Sequence, residues 1–265
     1  MIRSLLEALS RGRVLRRRLP ADHGGHTLYV SPDAAMKLWQ RDLGSVDPLL
    51  LKMAAELVRP GMTVWDLGAN VGLFSFAAAF AAGPSGRVLA VEADDWLAGL
   101  IERSARKAPE SHAPVEVLVA AVTDVDGIAE LCIARRGRAG NHLRSVSGST
   151  QTGGTREVRQ VAAVTPDTLL SRSPAPQVVK IDVEGAELLC LHGAATLLRE
   201  VRPVLLCEVA EENADAAGAL LRGHGYDLFD AATPQARRQP LARAVWNTLA
   251  LPQGVVPSRQ GSLRE

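Results

Sequence analysis

The chain is poor in cysteine, with three among 265 residues, at positions 132, 190 and 207. An odd, scattered set without a close pair excludes a disulfide framework and a cysteine-rich zinc site. Cys190 and Cys207 lie in apolar stretches and read as small core residues. Aromatic residues are also scarce, at 4%, against 47% hydrophobic residues overall, so the expected core is aliphatic and alanine-rich. Charge of one sign is missing too. A net charge of +1 gives no reason to expect nucleic-acid or anionic-membrane binding. No apolar run reaches the roughly 18 residues needed to span a bilayer. A signal peptide carries its charges first and an apolar core after them. Here the order is reversed, with an Arg-rich run from Arg11 to Arg18, so the expectation is a cytoplasmic protein without a membrane partner.

Alternating strand and helix patterns fill most of the chain. Met1 to about Pro20 reads as a short basic helix, and Thr27 to Val30 as a strand. Asp47 and Pro48 suit the cap and first position of a helix through Leu57. Strands follow at 62–67, 87–91 and 115–120, with helices at 73–82 and 96–107 between them. Two further strands, 127–134 and 156–163, flank a Gly-, Ser- and Arg-rich loop from Arg135 to Gly154. Such a loop is too long for a simple turn and reads as a lid or a disordered segment. Then come a strand at 177–181, a helix at 186–198, a strand at 204–209, a helix at 211–223, and closing strands at 226–229 and 244–251. The predicted class is α/β: a doubly wound, mostly parallel seven-stranded sheet ending in an antiparallel hairpin. The predicted organisation is an N-terminal extension over 1–46, a main domain over 47–252 and a loose tail over 253–265.

The chemistry begins at Asp66-Leu67-Gly68-Ala69-Asn70-Val71-Gly72, between an apolar strand and an apolar helix. Glycines at such a turn let a ligand approach the backbone closely. A pyrophosphate-binding turn would not place Asn70 at its centre, nor an acid at its head, because the acid repels phosphate. Asp66 suits a cationic ligand instead. S-adenosylmethionine carries an ammonium and a sulfonium and no phosphate. Glu92, about 20 residues beyond the turn, is placed to accept hydrogen bonds from both ribose hydroxyls. Ala93 follows it, and Ala121 and Val122 leave room for adenine against the backbone. Asp124 is either an acceptor for the adenine amine or an ordinary turn acid.

A second acidic segment ends the strand Val178-Val179-Lys180-Ile181, as Asp182-Val183-Glu184-Gly185-Ala186-Glu187. Strand ends of an open parallel sheet line one crevice, so Asp66, Glu92 and Asp182 are expected to converge. Asp182 and Glu184 are the candidates to place an acceptor or take its proton, with Asp182 the first choice of base and His142 the second. Glu187 reads as a helix-start acid. No third clear ligand accompanies the carboxylate pair, so no metal is assigned. His224 reads as a turn residue, and Trp39 either stacks on a ring or anchors the extension. Arg135, Arg136, Arg138 and Arg144 either favour an acidic acceptor or are simply solvated.

These segments resemble the FkbM-type methyltransferases. The resemblance is carried by Asp66 to Gly72, Gly86-Arg87-Val88 running to Glu92, and Thr165-Pro166-Asp167-Thr168-Leu169. It continues through Lys180 to Glu187, Arg202-Pro203 leading to Glu208, Gly225-Tyr226, and Asn247-Thr248-Leu249-Ala250. The likeness covers roughly Asp47 to Pro252. It departs where Ala93-Asp94 replaces a usual proline, and where Ala105-Arg106-Lys107-Ala108-Pro109 replaces an Asn-rich stretch. It implies a class I, Rossmann-like fold, S-adenosylmethionine as donor, and O-methylation of a hydroxyl on a sugar or secondary metabolite. It also implies that Gly68, Asn70, Gly72 and Glu92 line the donor site with Asp182 and Glu184 nearby, and that Asn141-His142 faces the acceptor. The expected partner is a small hydroxylated acceptor, with a homo-oligomer left open. Two other readings remain: a nicotinamide-dependent oxidoreductase using the same turn, and a non-catalytic protein that keeps the fold.

Overall fold

The computed structural model describes residues 9–146 and 152–254. Strand β1 (Leu15–Arg18) pairs antiparallel with β2 (Thr27–Val30), Leu15 opposite Val30. This corrects the expected basic helix to Pro20, whose first eight residues lie outside the described residues. In a strand, successive side chains point to opposite faces. The arginines here are tied to nearby carbonyls. Arg17 donates from Nε to Gln40 O at 2.6 Å and from Nη2 to Trp39 O at 3.0 Å, and Arg18 Nε donates to Gly25 O at 2.6 Å. From β2, Leu28 and Val30 are buried in the main core.

Helix α1 (Pro48–Leu57) starts as expected, Asp47 accepting from Leu50 N–H at 3.0 Å with proline at the first position. Next come β3 (Thr63–Leu67), α2 (Leu73–Ala82), β4 (Arg87–Glu92), α3 (Asp95–Ala105) and β5 (Val115–Val119). Helix α2 is apolar nearly all round and mostly buried, as a helix covered on both sides must be. Four strands follow in the middle of the chain: β6 (Ala121–Val122), β7 (Gly127–Ala134), β8 (His142–Leu143) and β9 (Thr155–Val164). The chain then returns through α4 (Pro166–Arg172), β10 (Val178–Ile181), α5 (Glu187–His192), β11 (Val204–Glu208), α6 (Ala214–Gly223), β12 (Tyr226–Asp230) and β13 (Asn247–Pro252).

The central sheet has seven strands in the order β12-β13-β11-β10-β3-β4-β5. Within it β13 runs antiparallel to both neighbours, and the other pairs are parallel. This is the doubly wound architecture expected. The expected helix over 186–198 is shorter, because α5 stops at His192 and Leu197–Val201 forms a separate π-helical turn. Gly193 divides them, and a Cβ there would press within 2.5 Å of Thr123 O.

The four middle strands build a second sheet, ordered β6-β9-β7-β8. A small apolar cluster of Leu131, Ile133, Leu143, Ala121 and Ala186 packs it onto the turn after β10. The hairpin therefore stands over the carboxyl ends of the central strands. The loop between its long strands is described except for 147–151 and carries η-type and β8 structure up to Val146. The expected loose tail lies, from residue 255 onward, outside the described residues. Among the described residues no helix is long and apolar enough to cross a membrane.

Candidate active site

A cavity of about 240 Å³ opens at the carboxyl ends of the central strands, where an open α/β sheet places its ligands. Its wall brings together Gly68, Ala69 and Asn70 after β3, Glu92 and Ala93 after β4, and Ala121 and Val122 after β5. Asp182 and Glu184 follow β10, and His142 comes from the hairpin. Ten of the expected site residues thus meet in one place.

The turn after β3 is held from within. Gly68 N–H and Ala69 N–H both donate to Val91 O, at 2.9 and 3.0 Å. Asn70 N–H donates to Glu92 Oε2 at 2.7 Å, and Gly72 N–H to Ala69 O at 2.8 Å. Gly68 has a left-handed φ of 81°, and a Cβ on it would overlap the Asp182 carbonyl. Only glycine fits where the turns after β3 and β10 come this close. Asn70, at φ 55°, tolerates the same region, and its Oδ1 is buried without a hydrogen-bond partner among the described residues.

Two expected donor contacts stand back from the cavity. Asp66 is fully buried beneath the turn, accepting from Ser75 Oγ at 2.5 Å and pairing with Lys180 Nζ at 3.1 Å. Its charge is matched inside the protein, so it does not present itself to a cationic ligand. Gly72 caps α2 at φ 82° and faces Phe76 and Ile101. Asp124 is exposed and accepts from the Thr123 hydroxyl at 2.9 Å, as an ordinary turn acid does. Glu187 is buried and accepts from Gly185 N–H at 2.7 Å, bracing the Asp182–Gly185 turn. That turn holds Glu184 at φ 47°, a strained value for a side-chain-bearing residue.

Lys180 was quoted in the motif but given no role. It is 3% exposed, donates to Gly68 O at 3.0 Å, and reaches Asp66 at 3.1 Å and Asp182 Oδ2 at 3.3 Å. Burial alone would lower its proton affinity, but Asp66 and Asp182 overcome that and hold it well above the ordinary lysine range. The signal was a lone lysine inside an apolar strand, which needs a buried partner. Glu208 also went unassigned, although it ends β11 as Asp182 follows β10. It lines the cavity together with Asp47 and Lys37. Burial pushes Glu208 to about 7, helped by Asp182 and opposed by Lys180. Burial, then Asp182 and Glu208, push Glu184 to about 8. Glu92 rises to about 7 through burial, against the N–H groups of Asp94 and Asn70.

A clamp closes the roof. Asp94 caps α3, and its Oδ2 accepts from Asn141 Nδ2 at 2.8 Å and from Arg138 Nη1. Arg138 lies over the Trp96 ring and donates from Nε to Asp33 at 2.9 Å, where Arg156 also binds at 3.1 Å. Ala139 N–H donates to Ala34 O at 2.9 Å. The extension and the hairpin are thereby joined over the cavity. Arg138 is committed to these carboxylates, and Arg144 is exposed and reaches Glu130 at 3.4 Å, outside the cavity wall. Among the described residues no three His, Cys, Asp or Glu side chains converge on a point that would hold a metal ion.

The wall suits S-adenosylmethionine. Ala93, Leu97, Ala121, Val122, Leu131 and Leu143 form an apolar slot for a flat base. Glu92 offers acceptor atoms to a diol, and Asn70 Oδ1 offers an unsatisfied acceptor.

The model of the methyltransferase FkbM domain matches residues 66–228. Similar solved structures include methyltransferase FkbM from Methylobacillus flagellatus KT, at 15% identity and a TM-score of 0.47, over 76% of this chain and 49% of that one. The chain therefore spans about half of that protein's length. They also include precorrin-6y C5,15-methyltransferase from Geobacter metallireducens GS-15, at 14% identity and a TM-score of 0.43, over 78% of this chain and 86% of that one. A third is Aeropyrum pernix fibrillarin in complex with natively bound S-adenosyl-L-methionine, at 13% identity and a TM-score of 0.42, over 75% of this chain and 73% of that one. No curated protein matches the chain. The domain match extends over more than half of the residues, and the chain belongs to the FkbM family of S-adenosylmethionine-dependent methyltransferases.

Proposed function

We propose that the chain O-methylates a hydroxyl of a sugar or secondary metabolite, using S-adenosylmethionine. The observation that carries the donor assignment is the turn after β3. The N–H groups of Gly68, Ala69, Asn70 and Gly72 are all spent on internal acceptors. This leaves a pyrophosphate only the first N–H groups of helix α2, which weighs against the nicotinamide reading. The turn and Glu92 instead offer acceptor oxygens, which suits a cationic nucleoside without phosphate.

In this reading Glu92 binds the ribose hydroxyls, and Ala93, Ala121 and Val122 border the adenine. Gly68, Ala69 and Asn70 hold the amino-acid portion. When bound, S-adenosylmethionine supplies a methyl group activated by a positively charged sulfur. The protein contributes proximity, orientation and a base. Asp182 is already shared with Lys180, and we assign it to orienting the acceptor. Glu184 has no hydrogen-bond or ion-pair partner among the described residues, and burial raises its proton affinity to about 8, so its ionised fraction is a strong base. It is the preferred acceptor of the hydroxyl proton. His142 is the second candidate, because its Nδ1 faces Gly140 O at 3.1 Å and leaves Nε2 to accept.

Calorimetric titration tests the donor half. S-adenosylmethionine should bind saturably and NAD should not, and Gly68→Ala should abolish the binding. Tight NAD binding would refute the assignment. For the chemical half, Glu184→Gln should lower turnover on an identified acceptor by about 10²- to 10³-fold with donor affinity kept.

A further inference from the structure

Four carboxyl groups, Asp47, Asp182, Glu184 and Glu208, border the part of the cavity furthest from Glu92, against the ammonium groups of Lys37 and Lys180. Lys180 is saturated by Gly68 O, Asp66 and Asp182. Lys37 lies 3.9 Å from Asp47. Arg138, the remaining base on the wall, is taken by Asp33 and Asp94. Carboxyl groups therefore outnumber the cations an acceptor reaches on this wall, where Lys37, half-exposed and 3.9 Å from Asp47, is the most loosely held.

Glu208 is in the opposite condition. It is half-buried, with no hydrogen bond or ion pair for its carboxyl among the described residues, and it borders a cavity on two sides. One is the main cavity. The other is a small adjoining pocket of about 20 Å³, shared with Asp47, Leu50, Lys180 and Asn247. A carboxyl taken out of water without a partner is costly unless a ligand supplies one. Its position separates it from the donor. Strands β4, β3, β10 and β11 are consecutive neighbours, so Glu208 and Glu92 are three strand spacings apart, about 14 Å. The donor's expected contacts lie on β4, β3 and the end of β5, which leaves the end of β11 to the acceptor.

We propose that Glu208 is an acceptor-binding residue, and that the acceptor carries a protonated amine near the hydroxyl to be methylated, as an amino sugar or amino alcohol does. The ammonium sits against Glu208 and the hydroxyl against Glu184. Bringing a cation to Glu208 also offsets the repulsion from Asp182 and Asp47 that favours its protonated form. This proposal rests on the methyltransferase reading and deepens it.

The test uses the full chain saturated with S-adenosylhomocysteine and three matched probes: trans-2-aminocyclohexanol, trans-1,2-cyclohexanediol and 2-hydroxycyclohexanecarboxylate. Binding is followed by NMR titration. The amino alcohol should bind at least tenfold more tightly than the diol, and the carboxylate should bind most weakly. The preference should grow from pH 6 to pH 8 as Glu208 ionises. Glu208→Gln should erase the preference with S-adenosylhomocysteine affinity unchanged. The proposal is overturned if the diol or the carboxylate binds as well as the amine, or if the amine shows no saturable binding. It is equally overturned if Glu208→Gln weakens S-adenosylhomocysteine, which would assign the carboxyl to the donor. Failure of the wild-type chain to bind S-adenosylhomocysteine would instead sink the methyltransferase reading beneath it.

Discussion

Replacing Lys180 with methionine removes one ammonium from between two strands. Lys180 and Asp66 are directly opposite in the parallel ladder of β10 and β3, and both are buried. In Lys180→Met, Asp66 keeps the Ser75 hydroxyl but loses its counter-charge, and the Gly68 carbonyl loses a donor. Removing one partner of a buried ion pair typically costs about 3–5 kcal/mol, because the other charge stays behind uncompensated. Against a domain stability of about 5–15 kcal/mol, that is about a fifth or more of the total. Urea unfolding followed by circular dichroism measures the loss directly. The companion variant is Asp66→Asn/Lys180→Met, in which the fully buried carboxylate is neutralised as well and only the part-exposed Asp182 loses its partner. It should recover about 2–3 kcal/mol relative to the sum of the single changes. The sign of the pH dependence is also set. Lys180 holds its proton more tightly folded than unfolded, so its stabilisation is complete below the ordinary value of 10.5 and fades only as pH rises beyond it. The deficit of Lys180→Met should therefore stay constant from pH 6 to pH 9. A deficit under about 1 kcal/mol, or a double variant no better than the sum, would refute the claim that this pair is a mutually dependent unit.

Other perturbations probe the roof and the back of the fold. Asp33 is 3% exposed and bridges Arg138 and Arg156. Asp33→Ala should cost about 2–3 kcal/mol in urea unfolding and speed hydrogen exchange over 137–143, and unchanged exchange there would count against the clamp. His112 packs edge-on to Phe80 and His26, and burial lowers its proton affinity, with His26 adding to the effect. The stability that the neutral ring contributes is present above the ordinary value of 6.5 and is lost as pH falls below it. The wild type should lose stability from pH 6.5 to pH 5 more steeply than His112→Phe, and parallel curves would contradict this.

The central sheet was legible because its signals are local. Apolar strands ending at Asp66, Glu92 and Asp182 alternate with capped helices, and each boundary needs only a few residues. Strand-end position points to Asp66, Glu92 and Asp182, of which Glu92 and Asp182 line the cavity. The same rule extends to Glu208 at the end of β11. What stayed hidden depends on partners far away in sequence. Asp66 read as a ligand contact because nothing local shows that Lys180 stands opposite it. Arg138 reads as either an acceptor contact or a solvated loop residue, because Asp33 and Asp94 come to it from separate elements. The Arg16 to Arg18 run read as a helix because charge pattern alone does not reveal pairing with Leu28 to Val30. The motif Arg202-Pro203 likewise gained meaning only in three dimensions. Arg202 donates to His224 O and Gly225 O and lies over Tyr226, so two separate pieces of the resemblance are one structural contact.

The same logic joins the donor end to the roof. Asp94 N–H donates to Glu92 Oε1 at 2.9 Å, and Asp94 Oδ2 holds both Arg138 and Asn141. Arg138 in turn reaches Asp33 in the extension. The carboxylate assigned to the ribose is thus two hydrogen-bonded steps from the hairpin and three from the extension. Such a chain transmits position because each member has several simultaneous partners and few alternative rotamers. In the proposed reading, a donor engaging Glu92 would act on the unit that carries Asn141 and His142. The roof pieces are not accessories to a site complete without them. They complete the wall of the cavity together with the central sheet, and the link through Asp94 ties them to Glu92.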